Sequence, residues 1–320
     1  MDLSIVIVSW NVQELLQRCL LSLSRGGATV APTPAVAQPE LTYEVIVVDC
    51  ASSDGSAEMV QGEFPWVRLI ASDENLGYAR GNNLGLAKAT GHYLLILNPD
   101  TEIVDDALAT MTRYLDAHPS VGALGPQLRF PDGTLQSSRR RFPSPVTAFC
   151  ESTLLHQWFP NNRAARHYHL ADRPADVTQA VDWLVGAALM VRCEAWQQVG
   201  PLDEGFFMYF EELDWCRRCR AAGWEIHYLP AAQITHYEGK SSEQVMAART
   251  IRFQSSKIRY YRKYYGLGWA LIIRFFLLGT FAFQLLQESL KWLVGHKRDL
   301  RRERVAAYWQ VLRSGLAADR

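Results

Sequence analysis

No glycine-rich phosphate cradle follows the first apolar run of this 320-residue chain. Where G-x-G-x-x-G or G-x-x-x-x-G-K-[ST] would stand, the sequence reads SWNVQELLQ, which excludes both a dinucleotide fingerprint and a P-loop at that position. Long uncharged apolar runs are missing as well: the stretch from Phe275 to Gln287 has 13 residues, short of the ~17–25 that a membrane span needs. Cysteine is sparse, with Cys19, Cys50, Cys150, Cys193, Cys216 and Cys219 scattered along the chain. The N-terminal MDLSIVIVSWN has no basic n-region, long apolar segment or cleavage site. Both features predict reduced thiols and a cytosolic body. The one spaced pair, CRRC at 216–219, offers at most two metal ligands with no second pair to complete them, so helix packing is its simpler reading.

What is present is a globular composition, 48% hydrophobic and 21% charged, which excludes disorder as the theme. Net charge is zero but segregated. Residues 1–245 carry 18 Lys/Arg against 29 Asp/Glu, and residues 246–320 carry 15 against 4, or −11 and +11. An acidic body with a basic tail suits an anionic partner surface, either membrane or nucleic acid.

Along the body, β-branched runs alternate with helical spacing. Strands are predicted at 3–9, 44–49, 66–71, 92–97 and 121–126, with helices at 12–24, 77–89 and 104–117. This alternation implies an α/β fold with a mostly parallel sheet, helices on both faces, and a ligand crevice beyond the carboxyl ends of the strands. Asp49 and Asp100 each end a predicted strand, and Trp10-Asn11 follows the first, so all three share that crevice. Each alone reads equally well as a loop-capping residue. With no glycine-rich cradle, a diphosphate there would be neutralised by a divalent cation on carboxylates such as Asp100. Residues 24–43 read as an insertion without chemistry.

The ordered segments SIVIVSWN, YEVIVVDCASSDGS, ENLGYARGNNLGLAKATGHYLLILNPD and VGPLDEGFFMYFEELDWCRRCRAAGW resemble glycosyltransferase family 2, in particular its bacterial rhamnosyltransferase-like branch. The resemblance covers roughly residues 1 to 245. It implies a GT-A type nucleotide-diphospho-sugar transferase domain at 1–245, with a nucleotide-sugar half at 1–126 and an acceptor half at 127–245, followed by a basic and apolar helical tail at 246–320. By that resemblance Asp49 and Trp10 lie at the pyrimidine base. Asp54 has either a donor-site role or that of a helix N-cap. Asn75 and Asn83 stand near the ribose-diphosphate, though their neighbouring glycines also fit a tight turn. NPD resembles the metal motif abbreviated DXD, with Asp100 a ligand for Mg²⁺ or Mn²⁺ and Asn98 a neutral contact where the two-acid pattern has an acid.

In YFEELDWCRR the family's acidic pair places the base that deprotonates the acceptor hydroxyl at Glu212, with Glu211 in reserve and Asp214 three residues on from Glu211. The competing reading of all three is a helix N-terminus decorated with acids. His236 is either a further metal ligand or structural, and Gly186 either admits the acceptor or allows close packing. The basic SRRRFPSP at 138–145 reads as a solvated loop rather than an acceptor contact. The processive Q-x-x-R-W is absent, which implies transfer of one sugar. In the tail, basic clusters flank both sides of an apolar and aromatic stretch at 264–286, which fits a segment lying on the cytoplasmic face of an anionic membrane. A tilted span or a dimerisation helix competes with it.

The expected activity is inverting, metal-dependent transfer of one hexosyl or deoxyhexosyl unit, rhamnosyl included. The donor is a dTDP- or UDP-sugar, the acceptor is a lipid-linked or polysaccharide glycan, and nucleic acid has no part. A nucleotide-sugar pyrophosphorylase and a non-catalytic membrane adaptor are the alternatives.

Overall fold

The computed structural model describes residues 1–26, 41–151, 153–237, 246–295 and 297–317. Most of the insertion expected at 24–43, and the EGKSS that follows His236-Tyr237, lie outside them. In chain order the elements begin β1 (Leu3–Ser9), α1 (Gln13–Gly26), β2 (Tyr43–Cys50), α2 (Ser56–Glu63), β3 (Arg68–Ser72), α3 (Gly77–Leu86), β4 (Tyr93–Leu97), β5 (Thr101–Ile103), α4 (Ala107–Ala117) and β6 (Val121–Arg129). There follow β7 (Leu135–Gln136), β8 (Arg139–Arg140), α5 (Pro145–Cys150), α6 (Leu154–Trp158), α7 (Arg163–Tyr168), β9 (Gln179–Ala180), β10 (Trp183–Leu184) and β11 (Ala188–Arg192). The chain ends with α8 (Cys193–Val199), α9 (Glu211–Ala221), β12 (Glu225–His236), α10 (Met246–Leu293) and α11 (Arg298–Ser314). These fall into two compact units.

The first unit comprises Met1–Arg141, Arg173–Glu204 and Glu211–Ser241. Its sheet runs β3-β2-β1-β4-β11-β6-β12-β5, with β7 on β6 and β9 on β12. Strands β3, β2, β1 and β4 are parallel neighbours, as are β6 and β12. Two short reversals matter more for the site. β11 runs antiparallel to both β4 and β6, pairing Ala188 with Leu97, so the chain just before it arrives at the carboxyl edge of β4. β5 runs antiparallel to β12 and pairs His236 with Thr101, the residue after Asp100. Leu3, Ile5 and Ile7 of β1 and Val45 and Val47 of β2 are fully buried against Leu16, Leu20 and Leu23 of α1, each burial contributing roughly 1.5–3 kcal/mol. On the other face α3 sits unusually close. A Cβ at Gly85 would lie 2.4 Å from Val6 Cγ1, and one at Gly81 2.9 Å from Val8 Cγ1, so these glycines serve helix-to-sheet contact, while Gly77 at φ 73 makes the turn into the helix.

The second unit comprises Phe142–Asp172, Gly205–Phe210 and Ser242–Arg320. α10 is interrupted at Gly266, whose φ of 87 and ψ of 170 are not helical. Before the break, Lys257 donates to the Glu151 carbonyl, Tyr261 to that of Ser144 and Tyr265 to that of Pro143. The same stretch grips residues 206–210: Ser256 donates to the Met208 carbonyl, Arg252 lies 4.2 Å over the Phe207 ring, and Phe253 packs on Tyr209 and Phe210. Tyr209 and Phe210 need that grip, because both occupy the left-handed region, at φ 70 and 71, where a bulky side chain is strained. After the break, α11 folds back along α10, with Arg274 donating to the Gly315 carbonyl, Phe281 against Tyr308, and Arg301 paired with the buried Glu288.

Candidate active site

The site lies in the first unit, along the carboxyl edge of its parallel strands. β1 and β2 end in loops laced to each other. Asn11, in the left-handed region, accepts from Ser53 N–H at 2.8 Å and gives its own N–H to Ser52 Oγ at 3.0 Å. Asp49 at the end of β2 is buried, its Oδ1 accepting Ser52 N–H at 2.9 Å, while its Oδ2 is buried without a hydrogen-bond partner among the described residues. An isolated buried carboxylate oxygen is costly, which marks this edge as built for a ligand's donor. Trp10 packs with Val8, Ile70 and Leu84 on Val48, Cys50 and Leu76, giving the crevice an apolar wall. Asp54 is occupied locally, accepting Gln13 N–H at 2.8 Å and Ser56 N–H at 3.1 Å. Asn75 accepts Gly77 N–H at the start of α3. Asn83 spends its amide on the Leu202 backbone, through Nδ2 to O at 2.9 Å and Leu202 N–H to Oδ1 at 3.0 Å, and so holds the 201–204 loop.

At the end of β4 the chain turns at Asn98-Pro99-Asp100, closed by Thr101 Oγ1 donating to the Asn98 carbonyl at 2.7 Å, and re-enters the sheet as β5. The β12–β5 register then lays His236 beside Asp100, and Tyr237 N–H donates to the Asp100 carbonyl. Both side chains are buried, with His236 Nε2 3.3 Å from Asp100 Oδ1 and neither atom hydrogen-bonded among the described residues. His236 Nδ1 lies 2.9 Å from Gln136 Oε1; in the neutral ring with its proton on Nδ1, donated to that oxygen, the Nε2 lone pair faces the carboxylate. Asn98 Oδ1 is a further buried acceptor without a hydrogen-bond partner among the described residues. A carboxylate and an imidazole this close share either a proton, as an ion pair, or a cation, and one carboxylate with one imidazole is a donor set that fits Mg²⁺ or, better, Mn²⁺. Among the described residues no group of three His, Cys, Asp or Glu side chains converges, so most of a cation's coordination would fall to its substrate.

The second acidic centre opens α9. Glu212 faces Gly186, which precedes β11, and accepts its N–H on Oε1 at 3.4 Å. Glu211 is buried; burial first, then the Glu212 charge beside it, pushes its carboxyl well above the ordinary carboxylate range. Asp214, fully buried, pairs with Arg218 at 2.9 Å, and that guanidinium donates to the Val199 and Pro201 carbonyls. Helical geometry separates these duties, since consecutive residues point about 100° apart. Cys216 and Cys219 are buried in α9, and burial raises both thiols, that of Cys219 to about 12, as expected of packing residues. Arg139 is not in a solvated loop: it is buried, donating to Gln179 Oε1 and the Arg173 carbonyl, because β8 pairs with β10 and draws it inward.

Two residues with no part in the sequence reading join the site. Gln136 orients His236, and nothing in its sequence neighbourhood marks it. Tyr78, inside the quoted ENLGYARGNN, donates to the Gly186 carbonyl at 2.7 Å. Burial first, then the charges of Glu211, Glu212 and Asp100, raise its phenol well above its usual value.

A family model described as Glycosyl transferase family 2 matches residues 4–177, and one described as Glycosyl transferase family group 2 matches residues 93–311. The chain is 29% identical over 303 residues to the N-acetylglucosaminyl-diphospho-decaprenol L-rhamnosyltransferase of Mycobacterium tuberculosis, covering 90% of this chain and 94% of that protein. It is 29% identical over 169 residues to Rhamnosyltransferase WbbL of Escherichia coli, covering 50% of this chain and 61% of that one. Among solved structures, the mannosyltransferase PcManGT from Pyrobaculum calidifontis, in complex with GDP-Man and Mn²⁺, superposes with a TM-score of 0.53 at 16% identity, covering 98% of this chain and 87% of that chain.

Proposed function

The chain belongs to glycosyl transferase family 2 and has its GT-A fold, and from that premise we propose that it transfers one rhamnosyl unit, with inversion, from a dTDP-sugar to a polyprenyl-diphosphate-linked glycan. The observation that carries this reading is the meeting of two unlike acidic centres at the Gly186-Ala187 backbone: Glu212, suited to an acceptor hydroxyl, takes the Gly186 N–H, and the turn that carries Asp100 beside His236, suited to a diphosphate, is bonded through Asn98 N–H to the Ala187 carbonyl. The choice of sugar and acceptor follows the Mycobacterium tuberculosis relative, matched over nearly its whole length.

In this mechanism Asp49 and Trp10 take the base, one by hydrogen bond and the other by its apolar face. Asp100 and His236, with Asn98 beside them, would hold a divalent cation that neutralises the diphosphate and eases its departure. Burial, then the charge of half-buried Glu212 beside it, raises the Glu211 carboxyl well above its ordinary range and favours its protonated form, and Glu212 acts as base. Glu212 takes the acceptor hydroxyl's proton as that oxygen forms a bond to the anomeric carbon. The bond from that carbon to the diphosphate oxygen breaks on the opposite face, and the nucleoside diphosphate leaves with the electron pair. Asp214 has a bracing part, through Arg218. The pyrophosphorylase alternative is not favoured: the loop after β1 carries Trp10 and Asn11 rather than a basic glycine-rich cradle.

The test is a donor panel of dTDP-rhamnose, dTDP-glucose, UDP-glucose, UDP-N-acetylglucosamine and GDP-mannose, each with Mn²⁺ and N-acetylglucosaminyl-diphospho-polyprenol. A lipid product heavier by one deoxyhexose, from dTDP-rhamnose alone, is expected. Turnover of none of the five, or of another donor, would overturn the assignment.

The tail is assigned to the surface of an anionic membrane. Ala247–Leu293 is long and apolar enough, by length and composition, to cross a bilayer. However, Gly266 breaks it, and α11 folds back on the second half. At 100° per residue, exposed Leu271, Phe275, Leu286 and Leu290 form one stripe, opposite buried Ala270, Ile273, Leu277 and Phe281. Exposed Lys291, Lys297, Arg298 and Arg302 supply positive charge near the hairpin's turn. That combination fits a hairpin lying in the headgroup layer. The protein should therefore cosediment with phosphatidylserine vesicles, and the triple variant Leu271→Glu, Phe275→Glu, Leu286→Glu should not. High salt should release much of the wild type, since charge is screened within about 8 Å at physiological ionic strength. Retention through high salt and alkaline washing would instead indicate a span.

A further inference from the structure

Tyr78 has no role in the chemistry above, yet its hydroxyl and Glu212 grip the same residue from opposite sides. The phenol donates to the Gly186 carbonyl at 2.7 Å, and the Gly186 N–H donates to Glu212 Oε1 at 3.4 Å. A Cβ on Gly186 would lie 3.4 Å from both Tyr78 Oη and Glu212 Cγ, within ordinary contact of each, so the two side chains close on this one residue. The grip is anchored at both ends. α3, which carries Tyr78, is seated on β1 and β2 through Gly81 and Gly85, and Asn82 Nδ2 donates to the Tyr78 carbonyl at 2.9 Å. The residue after Gly186 is tied to the metal-motif turn, with Asn98 N–H donating to the Ala187 carbonyl at 2.9 Å.

We propose that Tyr78 is the positioning residue for Glu212, linking the helix of the nucleotide half to the acceptor's base through the two backbone groups of Gly186. The inference rests on the assignment of Glu212 as the base. With the hydroxyl in place, Gly186 is fixed and its N–H stabilises the Glu212 carboxylate at one rotamer. Without it, the Gly186 segment slackens, the N–H contact lengthens and the base loses both orientation and charge stabilisation. The aromatic ring itself is not required for this, so the phenylalanine variant isolates the effect.

The experiment measures Tyr78→Phe in the full chain, with the best donor of the panel above, Mn²⁺ and N-acetylglucosaminyl-diphospho-polyprenol. Misplaced reacting groups cost heavily, so kcat is expected to fall roughly tenfold or more while the donor KM stays within about twofold. The acid limb of the kcat–pH profile should move to higher pH, because a carboxylate that loses an N–H donor gains proton affinity. Should Tyr78→Phe fold poorly, Tyr78→Met provides the second reading: it removes the hydroxyl with a side chain that adapts to the ring's space, and the same acid-limb shift is expected. A kcat loss with the acid limb unmoved in the folded variant would indicate packing only and overturn the proposal. Wild-type kcat and pH profile, alongside an inactive Glu212→Gln, would overturn it too while leaving the base in place. Turnover surviving in Glu212→Gln removes the base itself, and this role with it.

Discussion

Glu212→Gln should lower turnover by roughly 10²-fold or more while binding dTDP as the wild type does. The amide keeps the length and volume of the side chain beside Gly186 but cannot take a proton from the acceptor. Its neighbour should behave differently. Burial, reinforced by the Glu212 charge, raises the Glu211 carboxyl well above the ordinary carboxylate range and favours its protonated form, of which glutamine is a close isosteric copy. Glu211→Gln should therefore retain turnover within a few-fold. Initial rates by product mass, with dTDP affinity by calorimetry, distinguish the two. The reverse pattern, an inactive Glu211→Gln beside an active Glu212→Gln, would move the base by one residue.

Asp100→Ala is expected to abolish Mn²⁺-supported transfer. Charge stabilisation of a departing diphosphate by a held cation is worth several kcal/mol, and each ~1.4 kcal/mol is tenfold in rate, so the loss should be roughly 10²-fold or more. Thermal stability should change little, because Asp100 Oδ1 accepts no hydrogen bond among the described residues and the turn is closed by Thr101 instead. Mn²⁺ binding in the presence of dTDP, followed by electron paramagnetic resonance, gives a readout independent of turnover and should disappear with the rate. Full transfer by the variant would remove Asp100 from any metal role.

The alternation of β-branched runs with helical spacing was enough to place β1 through β4 and β6 to within two or three residues, since each reads locally. It also placed Asp49 and Asp100 at strand ends on one edge. The acceptor side was less legible, because β11 and β5 owe their direction to partners far along the chain, and no periodicity within five or three residues reveals a reversal. Those two reversals bring Gly186 to the edge of β4 and His236 to Asp100. Arg139 deceived for a related reason: a run of three arginines reads as solvated, and only the β8–β10 pairing, 45 residues apart between Arg139 and Leu184, turns one of them inward. Tyr78 stood in plain sight within a matched segment, but a tyrosine near a helix start carries no signal of its own until its hydroxyl's partner, 108 residues away, is known.

The second unit is threaded from three separate stretches of chain, and this bears on how the protein is made. The strained pair Tyr209-Phe210 leaves the ribosome before Phe253 and Tyr260, its packing partners, exist. At about 5–20 residues per second the gap of some fifty residues lasts several seconds, during which that pair has no reason to hold a left-handed backbone. Most of the first unit's strands can pair during synthesis, whereas residues 205–210 must wait for the last quarter of the chain. A stop codon near residue 245 would thus leave a nascent segment that never acquires its conformation, and such products should be selectively cleared by proteolysis at that stretch.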